Sequence, residues 1–156
     1  MSFKETIQSN IQLSYFEGQI PVNYQYTLGV AGNKFFETLK QKDEFIASVC
    51  SHCGVKTIYP LIYCEECFNP IDTYVSIGLE GELYSFTKCY RDYQGNTYDE
   101  PHVIGLIRFD GIKGGIIHRL NINEKDLKLG IRVKAKLKPT NKRTGGLDDI
   151  VCFEKV

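Results

Sequence analysis

From Thr73 onward, apolar residues alternate with polar ones or gather in short runs punctuated by glycine, which predicts β-strands. Thr73–Leu79 and Leu83–Tyr90 read as one long strand bent between Gly78 and Gly81. His102–Phe109 is nearly continuous apolar, with Gly105 permitting close backbone approach. A turn at Asp110-Gly111 or Lys113-Gly114-Gly115 leads into Gly115–Leu120. Asn123–Leu127 suits a helical turn, and Gly130 ends the connection to a strand at Ile131–Lys138. A loop, Pro139–Asp149, precedes the last strand, Ile150–Val156. Five strands with a short helix between the third and fourth is the order of an OB-fold barrel. A generic antiparallel barrel or an SH3-like fold is compatible with the same runs.

The N-terminal third has a different rhythm. Ile7, Ile11 and Phe16 lie among polar residues over 3–17, a weakly amphipathic helix stopped by Gly18 and Pro21. Val22, Tyr24, Tyr26 and Leu28 then alternate with polar residues, an extended segment ending at Gly29. Asn33 is placed to cap a helix over Lys34–Lys42, with Phe35, Phe36 and Leu39 on one side. That apolar side must cover either the rest of the chain or another protein. Phe45-Ile46 leads into the next element.

That element carries the chemistry. Cys50-Ser-His-Cys53-Gly54 and Cys64-Glu-Glu-Cys67 are two knuckles separated by ten residues, enough for a hairpin that folds one onto the other. Two residues between thiolates let both sulfurs reach one metal, and two such turns complete a tetrahedral four-sulfur shell. Gly54 suits the positive φ of the first turn; Phe68 holds that place in the second, which predicts a less regular turn. Two disulfides, or four buried thiols, would use the same residues. Paired Cys-x-x-Cys units without a secretion signal favour one structural zinc per chain on Cys50, Cys53, Cys64 and Cys67. Four thiolates also hold iron, and a red protein would mark an electron carrier.

Composition narrows the function. Residues 1–10 carry charge and no apolar core of a signal peptide, and no run approaches a membrane span. A reducing cytoplasm is the expected location. The 156 residues carry 19 basic and 19 acidic side chains, so the chain is no polycation. The imbalance is local: Arg132, Lys134, Lys136, Lys138, Lys142 and Arg143 form six cations with no acid between residues 132 and 143. Alternation with Val133, Ala135 and Leu137 puts the strand cations on one face. Such a strip suits the phosphates of CoA or a nucleic-acid backbone, and is also what an ordinary solvated strand presents. Seven of the ten tyrosines fall between Tyr59 and Tyr98; Tyr93 and Tyr98 border the first loop of the barrel, where rings can stack on bases. They are ordinary strand residues as well.

No catalytic set is visible. His52 sits between two ligands, His102 opens a strand and His118 lies within one. Cys89 and Cys152 fall in strands, where cysteine behaves as a small hydrophobe. A four-thiolate site leaves no open coordination position, which predicts a structural metal and no enzyme.

Ser48–Gly54, then Pro60, Cys64 and Cys67, Gly81-Glu-Leu-Tyr-Ser-Phe-Thr87, Pro101-His-Val-Ile-Gly105 and Leu129-Gly-Ile-Arg-Val133 together resemble one family. It comprises the zinc-ribbon/OB-fold proteins classed as a domain of unknown function, which bind acyl-CoA and accompany thiolase-like enzymes. The resemblance runs from Gly29 to Val156. It implies a mainly β chain: a helical arm over 1–47, a rubredoxin-like zinc ribbon over 48–72 and a five-stranded OB-fold barrel over 73–156. It further implies a non-catalytic accessory or scaffold protein beside a thiolase or a hydroxymethylglutaryl-CoA synthase-like partner, with acyl-CoA as ligand. The basic strip and the loop tyrosines supply the ligand-binding candidates: Lys134, Lys136, Lys138, Lys142, Arg143, Tyr93 and Tyr98. The second knuckle departs from the family's Cys-Pro-x-Cys-Gly form at Glu65, Glu66 and Phe68. The alternative is a module for single-stranded nucleic acid, against which the neutral charge counts.

Overall fold

A computed structural model describes Gly18, residues 26–92 and residues 94–156. The helix expected over 3–17 and Tyr93 lie outside the described residues, as do Val22 and Tyr24 of the extended segment. Helix α1 spans Gly29–Lys42, five residues longer at its start than expected. Asn33 therefore lies inside the helix; Leu28 holds the N-cap position and offers no side-chain hydrogen bond. Ala31, Phe35 and Leu39 recur every four residues and form the buried face, with Phe36 packed beside it.

Strand β1, Phe45–Val49, is more than a lead-in: it is the centre of a four-stranded sheet. The order is β3-β1-β2-β6, from β2 (Lys56–Ile58), β3 (Thr73–Gly78) and β6 (Lys113–Gly114). Phe45 through Ser48 are all buried, so no alternation reveals this strand in sequence. The long bent strand is two strands in two sheets. β3 pairs with β1, and after Gly78 the chain enters β4 (Glu80–Arg91), the first barrel strand.

The barrel closes in the order β4-β5-β7-β9-β8, with β5 at Thr97–Arg108, β7 at Ile116–Leu120, β8 at Arg132–Leu137 and β9 at Ile150–Lys155. Counted within the barrel this is 1-2-3-5-4, the five-stranded OB arrangement, and the turn Glu124–Asp126 sits between its third and fourth strands. Gly105 earns its place there: a Cβ would come within 2.7 Å of Leu83 Cδ1 and 2.8 Å of Leu120 Cδ1. Helix, ribbon sheet and barrel share one core. Phe45 stacks on Phe35 (5.8 Å between centroids) and Phe153 (6.3 Å) and meets Phe109 edge-on (5.7 Å). The apolar side of α1 thus covers this chain.

Candidate metal centre

The loop between β1 and β2 forms the first knuckle, and the segment between β2 and β3 forms the second. In each, the fifth residue donates its N–H to the first cysteine's carbonyl: Gly54 to Cys50 at 2.8 Å and Phe68 to Cys64 at 2.9 Å. The first cysteine in turn donates to the carbonyl five residues on, Cys50 to Val55 and Cys64 to Asn69, both at 2.9 Å. The second turn is therefore as regular as the first. Gly54 sits at φ 75° and Phe68 at φ 57°, the same left-handed conformation with a Cβ present. Backbone N–H groups two residues beyond the second cysteines, at Val55 and Asn69, reach the Cys53 and Cys67 sulfurs. Ser48, buried at the base of the ribbon, donates to the Thr57 carbonyl and accepts from Leu61 N–H at 3.2 Å.

All four sulfurs lie within 4.8 Å of one another. Cys50 Sγ to Cys67 Sγ and Cys53 Sγ to Cys64 Sγ are each 3.5 Å, so the closest pairs join the two knuckles. A tetrahedron with metal–sulfur bonds of about 2.3 Å has sulfur–sulfur edges of about 3.8 Å. A disulfide needs about 2.05 Å, and all six cysteines are free. The cluster fits one metal ion, and it also gains from one. At Cys53, the Val55 N–H favours the thiolate, but desolvation and the three neighbouring sulfurs prevail, and the thiol is pushed up to about 12. The Asn69 side chain and N–H pull Cys67 down to about 6. A divalent ion among the sulfurs would favour the thiolate that burial and the neighbouring sulfurs disfavour at Cys53. His52 is exposed and outside the cluster.

The basic strip is arranged differently from its sequence. Arg132, Lys134 and Lys136 are on the outer face of β8, with Val133 and Ala135 turned inward. Acids from distant segments meet them: Arg132 with Asp110 at 3.1 Å, Lys134 with Glu80 at 3.0 Å, Lys136 with Glu154 at 2.8 Å and Lys138 with Asp148 at 2.7 Å. Lys142 is exposed in the turn Thr140–Lys142. Arg143 is a correction to the strip, because its side chain is 4 % exposed and faces inward. It donates to the carbonyls of Lys138 (2.6 Å), Leu39 (3.3 Å) and Lys40 (3.2 Å) and pairs with Asp43. It closes the C-terminal end of α1, where unpaired carbonyls need donors. Beside it, buried Asp149 accepts the N–H of Thr144 (2.8 Å) and Gly145 (2.7 Å) and so shapes the loop.

Tyr98 stacks on His102 with centroids 4.1 Å apart. His102 is the register partner of Cys89 across β4 and β5, a neighbourhood no local pattern reveals. Cys152 is buried, as is the Nδ1 of His118, which has no hydrogen-bond partner among the described residues; burial holds that imidazole below its usual range.

A crystal structure of a protein of unknown function from the DUF35 family of Sulfolobus solfataricus is 34 % identical, covering 82 % of this chain and 87 % of that one, with a TM-score of 0.62. The chain belongs to the DUF35 family. Residues 74–138 match the family described as the ChsH2 C-terminal OB-fold domain. A structure named Ltp2-ChsH2(DUF35) aldolase shares the fold, at 17 % identity and a TM-score of 0.57 over 88 % of this chain and 98 % of that one. No curated protein matches. Among the described residues, no helix is long and apolar enough to cross a membrane.

Proposed function

We propose that this DUF35 chain is a non-catalytic accessory protein of the cytoplasm, built to sit on a thiolase-like or hydroxymethylglutaryl-CoA synthase-like enzyme. Its four cysteines hold one structural zinc. The observation that carries the reading is the closed four-sulfur cluster: two equivalent knuckles supply every ligand and leave no position for a substrate. Acyl-CoA is the small ligand we assign, contacted on the side of the barrel that bears Lys134, Lys136, Lys138 and Lys142. The carboxylates paired with the first three favour modest affinity, because phosphates must displace partners already in place, weak as exposed ion pairs are. The same pairing weighs against a single-stranded nucleic-acid module.

The experiment is to purify the chain with and without a recombinant thiolase of the same organism, measure bound metal, and titrate CoA and a labelled oligonucleotide. We expect one zinc per chain, loss of it in Cys64→Ser, a stable complex with the enzyme, and CoA binding that is weak alone and tighter in the complex. Turnover of acyl-CoA by the isolated chain, or an oligonucleotide bound far more tightly than CoA in both states, overturns the reading.

A further inference from the structure

Phe68 occupies a backbone conformation that a side chain disfavours, at the point where the sister knuckle has glycine. Among the described residues, no packing accounts for a ring at this place. The ribbon's small core consists of Cys50, Cys64 and Ile71 with Leu61 and Cys67 against them, and Phe68 is 80 % exposed outside it. Two more large apolar side chains on the same hairpin are exposed, Tyr63 at 60 % and Ile62 at 49 %. The hairpin is held rigid: Tyr63 bridges to Pro70, Ile71 N–H meets the Ile62 carbonyl at 2.8 Å, and two of the cluster's sulfurs lie within it. An aromatic ring on a rigid turn loses little freedom on docking, which is the character of an interface anchor.

Charge narrows what it docks on. From Leu61 to Asp72 the chain has three acids and no base. Glu65 and Glu66 share a single cation, Lys113, at 3.4 and 2.5 Å, which leaves an excess of negative charge beside the apolar tip. The geometry points to the second knuckle as the surface that grips the partner enzyme, with Phe68 entering an apolar hollow rimmed by lysine or arginine. This rests on the accessory reading above. A second copy of this chain is the poorer occupant, since two acidic tips would face each other across a self-interface.

Phe68→Gly separates anchor from fold, because glycine relaxes the backbone while deleting the ring. With the purified thiolase as probe, we expect Phe68→Gly to keep its metal and melt no lower than wild type. It should bind the enzyme about tenfold or more weakly. Tyr63→Ser, outside the strained turn, should weaken binding in the same direction. Glu65→Lys should weaken it by an amount that shrinks as salt rises. Binding of Phe68→Gly within about twofold of wild type overturns the inference and leaves the accessory role standing. Failure of wild type to bind overturns both. A homodimer that Phe68→Gly dissociates, measured by sedimentation, also overturns the inference, by making this face a self-interface.

Discussion

Among the described residues, the buried polar side chains are Ser48 and Arg143, which tie separate segments together, and Asp149, which holds its own loop in shape. Asp149 shows how a buried carboxylate stays charged. Desolvation disfavours the anion, yet N–H groups of Thr144, Gly145 and Gly146 hold its carboxyl below the usual carboxylate range. A folded-state value below the unfolded one stabilises the fold above the unfolded value, about 3.9, and that contribution is lost as pH falls through the folded value. Stability should therefore drop on acidification below about pH 4, and Asp149→Ala should flatten that drop while costing about 2–3 kcal/mol at neutral pH. Urea denaturation of both proteins across pH checks it. Sequence gave no warning of this residue or of Arg143. Asp148 and Asp149 are adjacent and alike, as are Lys142 and Arg143, and only packing turns one of each pair inward.

At the scale of elements, legibility follows the range of the interactions. The knuckles are written within six residues each, so cysteine spacing was enough. Period-two alternation likewise placed the β8 cations on one face. Their carboxylate partners are Asp110, Glu80 and Glu154, far away in sequence, and for Glu80 and Glu154 it is strand pairing that brings them near. Strand β1 escaped notice because burial on both faces erases alternation, and the β3–β4 break escaped because a change of sheet leaves only Gly78 (φ 70°) as a mark. The capping of α1 is the longest-range case, with Arg143 reaching a helix end about a hundred positions earlier in the chain. Removing a fully buried paired charge costs about 3–5 kcal/mol, but Asp43 is 57 % exposed and can be rehydrated. We therefore expect Arg143→Met to destabilise by about 2 kcal/mol, with faster amide exchange in the last turn of α1 and in residues 139–149.

Across the whole molecule, the aromatic contacts of Phe45 join helix, ribbon sheet and barrel, while the metal cluster has its own small core. The division we propose, arm over 1–47, ribbon over 48–72 and barrel over 73–156, therefore marks segments of sequence more than separable units. Chelating the proposed zinc should open residues 50–72 to hydrogen exchange and protease while the barrel amides stay protected. Val49 and Thr73 are register partners on adjacent strands, and every residue of both knuckles lies between them. The ribbon is thus a closed loop of 23 residues, and bringing its ends together costs on the order of 3 kcal/mol in chain entropy. A metal already bound by the knuckles draws those ends close before β1 and β3 pair. On the proposed zinc site, the ion would act on the rate of folding as well as on the folded state: refolding followed by stopped-flow should be faster with zinc present, and Cys64→Ser should remove the acceleration.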